Sequence, residues 1–316
     1  MKKIFYLILF LFLTACGVSS NTDPFQVQTS RDPFVLNGIE GHHEQFPSIV
    51  MLTINGYDEY CSGTLIKPDL VMTAAHCVEH LPNSLEAVYG VDSIPDPLQC
   101  RSCFMKVKNS TYHPEFTHFY FPSNDIGLIL LEHPVYNPIV GTFLSERNNN
   151  FVYVGQTLTL AGYGTSNEGL GQLYYGDVPV TELRGDYEMV VGLDSPTAVN
   201  ACYGDSGGPA YLYEAGEEYV VGVTSRVPEG KPIECGHGTV YTRPEAYSDW
   251  IEQAYQDMKT ATPNDPDPVD PNNCCRKPEP APPILEPSGG CSVNQNTPSF
   301  DFMILFLSVL FLRKRQ

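Results

Sequence analysis

A serine is flanked by glycines in the stretch 200–209, which reads Asn-Ala-Cys-Tyr-Gly-Asp-Ser-Gly-Gly-Pro. Glycine allows the backbone to come close to a substrate carbonyl, so the amides of Gly204 and Ser206 could both donate to one developing oxyanion. Such a serine also needs a base that accepts its proton. The stretch therefore indicates nucleophilic catalysis at Ser206.

The run Gly204-Asp-Ser-Gly-Gly208 also fits the nucleophile elbow of an α/β-hydrolase, G-x-S-x-G. An elbow must lead into a helix, however, and Ser206 is followed by two glycines, Pro209 and the strand-like segment Ala210-Tyr-Leu-Tyr213. Glycine and proline disfavour a helix at this point. An esterase of the α/β-hydrolase type is kept as an alternative function.

Two upstream motifs supply partners for the serine. Thr73-Ala-Ala-His-Cys77 places His76 after an apolar strand, and Asn124-Asp-Ile-Gly-Leu-Ile-Leu-Leu131 opens an apolar run with Asp125. The order His, Asp, Ser with these signatures resembles the chymotrypsin-like (trypsin-fold) serine endopeptidases over about residues 35–259. The resemblance implies an all-β fold, in which two antiparallel β-barrels precede a C-terminal α-helix.

The same resemblance implies a mechanism. Ser206 attacks a peptide carbonyl and forms an acyl-enzyme, His76 transfers the proton, and Asp125 holds the histidine in the required tautomer. The partners are polypeptide substrates, and neither a metal nor an organic cofactor is required. A catalytically silent homologue that serves as a binding module is the alternative, but such homologues normally lack a triad residue and none is missing here.

Composition is consistent with this assignment. The chain has 316 residues, 26 glycines, 27 prolines and a modest share of charged residues, as in a β-rich globular protein. Its formal net charge of −19 argues against a nucleic-acid partner, because a phosphate backbone is bound by surfaces rich in lysine and arginine. An acidic exported protein accounts for the charge.

The N-terminus carries a targeting pattern. Lys2-Lys3 precede the apolar run Ile4–Leu13, which is shorter than the ~20 residues of a membrane-spanning helix and is typical of an export signal. Leu13-Thr-Ala-Cys16 resembles the bacterial lipoprotein box, which implies a signal peptide of residues 1–15 and lipid on Cys16. The residue after Cys16 is Gly17 and not the aspartate that retains such lipoproteins in the inner membrane, which favours the outer membrane. A plain signal peptide with a coincidental cysteine is the alternative.

Residues 16–34 have the character of a short propeptide. Val35-Leu-Asn-Gly38 resembles the activated N-terminus of the family, in which a freed α-amino group, here that of Val35, pairs with Asp205. This pair orders the oxyanion loop, the segment that contains Gly204 and Ser206. We therefore expect an activating protease that cuts near Phe34–Val35. Most zymogens of the family have a basic residue before the cut, which Phe34 is not, and a cut after Arg31 would leave three residues ahead of Val35.

The protease domain should comprise a first barrel at about 35–132, a crossing segment, a second barrel at about 151–243, and one helix at 244–258. The resemblance implies the disulfides Cys61–Cys77 and Cys202–Cys235. Cys100-Arg-Ser-Cys103 is additional to the family pattern and could be a redox pair or half of a zinc site. Without a second ligand pair, a small loop disulfide is favoured.

Beyond the helix, residues 260–290 are rich in proline and acids, as in an extended linker. Gly289-Gly-Cys291, the apolar run Phe302–Leu312 and the basic end Arg313-Lys-Arg315 resemble bacterial C-terminal sorting signals of the Gly-Gly type, so residues 291–316 form a sorting or anchor segment; a simple tail anchor is the alternative. Cys274 and Cys275 could pair with each other or with another chain. We expect an exported protein at the bacterial outer membrane or cell surface, or in the medium after processing.

The specificity pocket is assigned by resemblance. Asn200 stands six residues before the nucleophile, where trypsin-like members have an aspartate, so a basic P1 residue is not expected. Val227 and Thr239 stand where wide pockets have glycines, which predicts small apolar P1 residues; Asn200 could instead bind a polar P1 side chain. Ser225-Arg226-Val227 matches the edge that pairs with the substrate backbone.

Overall fold

The computed structural model describes residues 35–56, 58–80, 84–98, 100–117, 122–143, 151–164 and 171–261, with only the backbone of 58–60. The proposed signal peptide, propeptide, linker and sorting segment, with Cys16, Cys274 and Cys275, lie outside these residues.

The first half of the described chain forms a closed antiparallel barrel. After the short strand β1 (Ile39–Glu40), the barrel is built from six strands in the order β2-β3-β4-β7-β6-β5. They are β2 (Ile49–Ile54), β3 (Asp58–Lys67), β4 (Leu70–Thr73), β5 (Leu85–Tyr89), β6 (Phe104–Tyr112) and β7 (Gly127–Leu131).

The second half forms another barrel of six strands, in the order β9-β10-β13-β12-β11-β8, which closes where β8 pairs with β9. They are β8 (Thr157–Gly162), β9 (Tyr174–Arg184), β10 (Glu188–Asp194), β11 (Pro209–Glu214), β12 (Glu217–Arg226) and β13 (His237–Thr242). Strand β1 pairs with β9, so the N-terminal segment lies on the second barrel. The predicted all-β fold of two antiparallel barrels is confirmed.

Burial explains why several strands are apolar throughout. Every residue of β4 and β7 is buried, which matches the continuous apolar runs Leu-Val-Met-Thr and Gly-Leu-Ile-Leu-Leu. A strand that is covered on both faces has no position for a polar residue facing solvent. These two strands pair with each other and end beside the candidate catalytic residues.

The C-terminal helix differs from its prediction in its boundaries. A 3₁₀ turn, Pro244–Tyr247, precedes the α-helix α1, Ser248–Ala261, whereas one helix over 244–258 was predicted. The Ala246 amide donates to the Arg243 carbonyl, an i to i+3 bond that is common in the first turn of a helix. Helix α1 docks on the first barrel, where Tyr255 and Lys259 both contact the Asp69 carboxylate at 2.9 Å.

Within the described residues, three disulfides join the cysteine pairs Cys61–Cys77, Cys100–Cys103 and Cys202–Cys235. The second pair encloses a single 3₁₀ turn of the loop before β6. None of the helices within the described ranges is both long and apolar enough to cross a membrane.

Candidate active site

His76 and Asp125 meet at the end of the β4–β7 strand pair. His76 lies in the 3₁₀ turn Ala75–Cys77 directly after β4, and Asp125 lies two residues before β7. His76 Nδ1 is 2.8 Å from Asp125 Oδ2, and the His76 amide donates to Asp125 Oδ1 at 3.0 Å. Ser225 of the second barrel donates its hydroxyl to Asp125 Oδ2 at 2.6 Å. The carboxylate therefore holds both the backbone and the ring of His76.

The electrostatics of the His76–Asp125 contact favour the ion pair. Burial alone would raise the pKa of Asp125, but the charge of His76 and the hydrogen bonds from His76 and Ser225 lower its pKa below the ordinary value. Burial likewise opposes a charged His76, yet Asp125 raises the pKa of the imidazole above its ordinary value. Asp125 thus remains ionised and stabilises imidazolium.

The backbone around Asp125 is fixed from the second half of the chain. Asn124 has φ of +52°, a region that asparagine tolerates better than most residues. Its side-chain oxygen accepts a hydrogen bond from the Tyr247 hydroxyl at 2.9 Å, and Thr242 donates to the Asp125 carbonyl at 3.0 Å. Residues of both barrels therefore position one carboxylate.

Ser206 lies in the loop between β10 and β11, against the first barrel. Its carbonyl accepts a hydrogen bond from the Ser62 amide at 2.8 Å, and the Cys77 sulfur lies 3.7 Å from the same carbonyl. Gly207 has φ of +79°, and a Cβ atom there would lie 2.0 Å from Thr73 Oγ1. Only glycine permits this close approach, which brings Ser206 beside the turn that carries His76.

The amides of Gly204 and Ser206 have no hydrogen-bond acceptor among the described residues, whereas the next two amides are bonded to Thr224 and Asp205. Two free donors beside a serine are what an oxyanion hole requires. Within the same residues the Ser206 hydroxyl makes no hydrogen bond, and catalytic hydrogen bonds of this kind often tighten only when substrate is bound.

Asp205, which lies between Gly204 and Ser206 in the oxyanion loop, is buried. Its carboxylate accepts hydrogen bonds from the amides of Cys202 (2.9 Å), Gly164 (3.1 Å) and Val35 (3.1 Å). Burial outweighs these bonds and raises its pKa to about 6. A Cβ atom on Gly162 would lie 2.0 Å from the Asp205 carboxylate, which explains a glycine at this position.

A cavity of about 500 Å³ opens beside Ser206. Ser225, Arg226, Val227 and Thr239, which were predicted to bind substrate, all line it, as do Ala201 and the Cys202–Cys235 disulfide. Its charged lining residues are Arg226, which is paired with Glu188 and Glu229, and Lys231 and Glu234, which are both exposed. No buried carboxylate lines the cavity among the described residues.

Asn200 does not line this cavity, contrary to its predicted role. Its side chain is fully buried, and its Nδ2 donates to the carbonyls of Leu193 (3.1 Å) and Ala198 (3.3 Å). The amide therefore closes the turn that follows β10. Its position in the sequence matches the family, but its side chain is used within the fold.

Sequence reasoning missed the ion pairs of Arg226. Its guanidinium is bonded to both carboxylate oxygens of Glu188 (2.8 and 3.0 Å) and to Glu229 (2.7 Å), and Glu229 also contacts Arg184. It also missed Tyr203, whose hydroxyl donates to the Ile233 carbonyl at 2.9 Å and bridges the cavity mouth. The Arg226–Glu188 and Tyr203–Ile233 contacts join residues that are 38 and 30 positions apart in the chain.

One group of metal-ligand types is close together in the described residues: atoms of Cys61, His76 and Cys77 lie within 4.8 Å. Both sulfurs belong to one disulfide, so no thiolate is available to bind a metal ion.

Comparison with known proteins identifies the family. The sequence model of the family described as "Trypsin" matches residues 35–251, more than half of the chain. The chain belongs to the trypsin family. It is 30% identical to Melanization protease 1 of Drosophila melanogaster over 69% of this chain and 64% of that protein, so it spans less than two thirds of that relative.

Two further relatives are matched over nearly their whole length. Identity is 28% to Collagenase of Hypoderma lineatum, over 78% of this chain and 96% of that protein. It is 29% to Brachyurin of Leptuca pugilator, over 69% of this chain and 97% of that protein. The chain is accordingly a serine-type endopeptidase of the trypsin family.

Proposed function

We propose that this endopeptidase cleaves polypeptides through an acyl-enzyme on Ser206, with His76 as general base and acid and Asp125 as the orienting carboxylate. The His76–Asp125 contact at 2.8 Å carries the proposal, because it occupies Nδ1 and leaves Nε2 as the ring nitrogen for Ser206. Asp125 is fully buried, so water does not compete for this contact.

In the first step Ser206 Oγ bonds to the substrate carbonyl carbon while its proton passes to His76. The carbonyl oxygen becomes an oxyanion, which the amides of Gly204 and Ser206 stabilise. Collapse breaks the C–N bond, and His76 gives its proton to the leaving amine. Water then attacks the ester by the same route and releases the carboxylic acid together with free Ser206.

A fluorophosphonate label tests this assignment directly. We expect the activated protein to be labelled on Ser206, and the matched Ser206→Ala protein, purified in the same way, to remain unlabelled. Equal labelling of both proteins, or no labelling of an activated and folded wild type, would contradict the proposed nucleophile.

The pocket supports a small, uncharged P1 residue. Val227 and Thr239 contribute side chains to the lining, and no buried carboxylate lines the cavity among the described residues. A basic P1 side chain would there lose its hydration without a charged partner. Because Arg226 is already paired with Glu188 and Glu229, its charge is not available to select an acidic substrate residue.

Activation by a cut at Phe34–Val35 is supported by the conformation of Val35. This β-branched residue has φ of +30°, an unfavourable value, while its nitrogen reaches Asp205. The dihedral φ involves the preceding carbonyl, so removal of Phe34 would relieve the strain. It would also replace a neutral amide beside Asp205 with an ammonium group.

Export is supported by the three disulfides, which form and persist in oxidising compartments. We further propose a bacterial lipoprotein in which Cys16 carries lipid and residues 291–316 act as a sorting or anchor segment. A cut at Phe34–Val35 would then separate the catalytic domain from the lipid, so only a C-terminal anchor could retain it. Fatty-acid labelling of the full chain and of Cys16→Ser tests the lipid, and mature active enzyme beginning at Cys16 would contradict release.

A further inference from the structure

Ser62 of the first barrel contacts both residues of the oxyanion hole. It lies in β3 and is fully buried. Its hydroxyl is 3.0 Å from the Gly204 carbonyl, and its amide donates to the Ser206 carbonyl at 2.8 Å. These two carbonyls flank the Ser206 amide along the chain. One residue of the first barrel therefore holds the peptide groups on both sides of an oxyanion donor.

The direction of the Ser62 hydroxyl proton follows from its partners. The Tyr163 amide donates to Ser62 Oγ at 3.1 Å, and an amide nitrogen can only donate. The hydroxyl proton is then free for the Gly204 carbonyl, which can only accept. Thr73 donates its hydroxyl to the Ser62 carbonyl at 2.8 Å and so fixes the backbone of Ser62 itself.

The oxyanion loop needs such a contact because glycine does not fix its own conformation. Gly204 has φ of +88°, a region that glycine shares with many other conformations of similar energy. Within this loop, the Asp205 carboxylate accepts hydrogen bonds from the amides of Cys202 and Gly164. Ser62 holds the loop from the side of the first barrel.

We propose that Ser62 is a positioning residue, which holds the Gly204 and Ser206 amides in the direction that stabilises the oxyanion. This inference rests on the proposed function, because it assigns Ser62 to the oxyanion hole of that reaction. Its hydroxyl touches no reacting atom, so loss of the hydroxyl should lower kcat and leave substrate affinity nearly unchanged.

The test compares two buried serines that each bridge the barrels. Ser62→Ala removes the bond to Gly204. Ser48→Ala is the matched control, because Ser48 is also fully buried in the first barrel and its hydroxyl bonds to the Tyr211 hydroxyl of the second barrel at 2.9 Å. Both are prepared without residues 1–34 and assayed on one peptide beside wild type and Ser206→Ala.

We expect Ser62→Ala to lose about 10- to 100-fold in kcat, less than the ~10²–10³-fold that follows loss of a whole oxyanion donor. KM should change by no more than about threefold, and a peptidyl aldehyde, whose adduct carries an oxyanion, should bind more weakly in proportion to kcat/KM. Ser48→Ala should keep wild-type kcat even where its melting temperature falls.

Equal kcat in Ser62→Ala and Ser48→Ala would overturn the proposal, as would aldehyde binding that stays at the wild-type level. Ser62→Thr retains the hydroxyl and should recover most of kcat; equal losses in the alanine and threonine variants would also overturn it. If Ser62→Ala cannot be purified folded, Ser62→Thr decides alone, since a loss beyond tenfold in kcat contradicts the proposal. Absence of hydrolysis by wild type would instead refute the proposed function.

Discussion

The main-chain nitrogen of Val35 donates a hydrogen bond to Oδ2 of Asp205 at 3.1 Å, although 170 residues separate the two in sequence. Both residues are buried, and the Val35 side chain packs in the core of the second barrel. In the uncut chain this nitrogen is a neutral amide, so a fully buried carboxylate beside Ser206 has only neutral donors. Whether the Phe34–Val35 peptide bond is intact or cut therefore sets the charge beside Asp205 in the oxyanion loop.

The first prediction concerns the pH dependence of the uncut chain. The pKa of Asp205 is raised from 3.8 to about 6 in the folded protein. The folded state then binds more protons than the unfolded state between these values, so the free energy of unfolding falls as pH rises from about 4 to 6. The loss should be roughly 3 kcal/mol at 1.36 kcal/mol per pKa unit.

Urea unfolding of uncut Ser206→Ala between pH 4 and 7 measures this loss. The double variant Ser206→Ala, Asp205→Asn is the control, because it lacks the titrating group and keeps every other one. The cut protein, in which the Val35 ammonium favours ionised Asp205, should lose less stability than the uncut one. Identical pH profiles of the three proteins would refute the assignment.

The second prediction concerns the position of the activating cut. A chain that begins at Val35 should be active, whereas one that begins at Asp32 should have kcat/KM lower by at least about tenfold, the loss expected for roughly 1.4 kcal/mol. In the chain that begins at Asp32 the Val35 nitrogen remains a neutral amide, because the free ammonium group lies on Asp32, and only the cut directly before Val35 places a positive charge beside Asp205. Both chains are made by release from a fused N-terminal carrier and assayed on one substrate. Equal activity would show that pairing with Asp205 is not required.

Much of this arrangement could be predicted from the sequence, because the local signatures around His76, Asp125 and Ser206 each include the residues that shape the backbone there. Glycines at 204 and 207 adopt positive φ beside the serine, and apolar β4 and β7 lie beside the other two. The pairs Cys61–Cys77 and Cys202–Cys235 were implied by the resemblance to the family, and Cys100–Cys103 was favoured because no second pair of metal ligands accompanies it.

The orientation of single side chains could not be predicted in the same way. The place of Asn200 in the sequence suggested a pocket base, but the turn after β10 presents two carbonyls that its amide satisfies. The pairing of Arg226 with Glu188 and the contact of Ser62 with Gly204 depend on segments that meet only in the folded barrels. Spacing along the chain carries no signal for such contacts.

The third prediction concerns the acidic limb of the activity profile. His76 must be neutral to accept the proton of Ser206, and Asp125 raises the pKa of His76. kcat/KM should therefore increase with pH through a pKa above 6.5. Asp125→Asn should lower activity by about 10⁴-fold, and the residual activity should show its acidic limb at lower pH, because the negative charge that favours imidazolium is lost.

The pH dependence of kcat/KM on a peptide p-nitroanilide, measured for wild type and Asp125→Asn, checks both statements. Ser225→Ala is a milder comparison, since it removes one hydrogen bond from Asp125 and keeps the carboxylate. An acidic limb that does not move in Asp125→Asn would mean that a group other than His76 controls it.

The last prediction concerns the P1 residue. Val227 and Thr239 line the cavity beside Ser206, and Thr239 is 5% exposed, so its side chain takes up space that a large P1 side chain would need. A peptide library scanned at P1 should give the highest kcat/KM for Ala and Val, lower values for Phe and the lowest for Arg.

The double variant Val227→Gly, Thr239→Gly should improve Phe relative to Ala by about 10- to 200-fold, the range associated with small volume changes in an apolar pocket. Selective cleavage after Arg or Lys by the wild type would contradict the prediction of an uncharged P1 residue. An unchanged ratio of kcat/KM for Phe and Ala substrates in the double variant would show that Val227 and Thr239 do not limit the depth of the cavity.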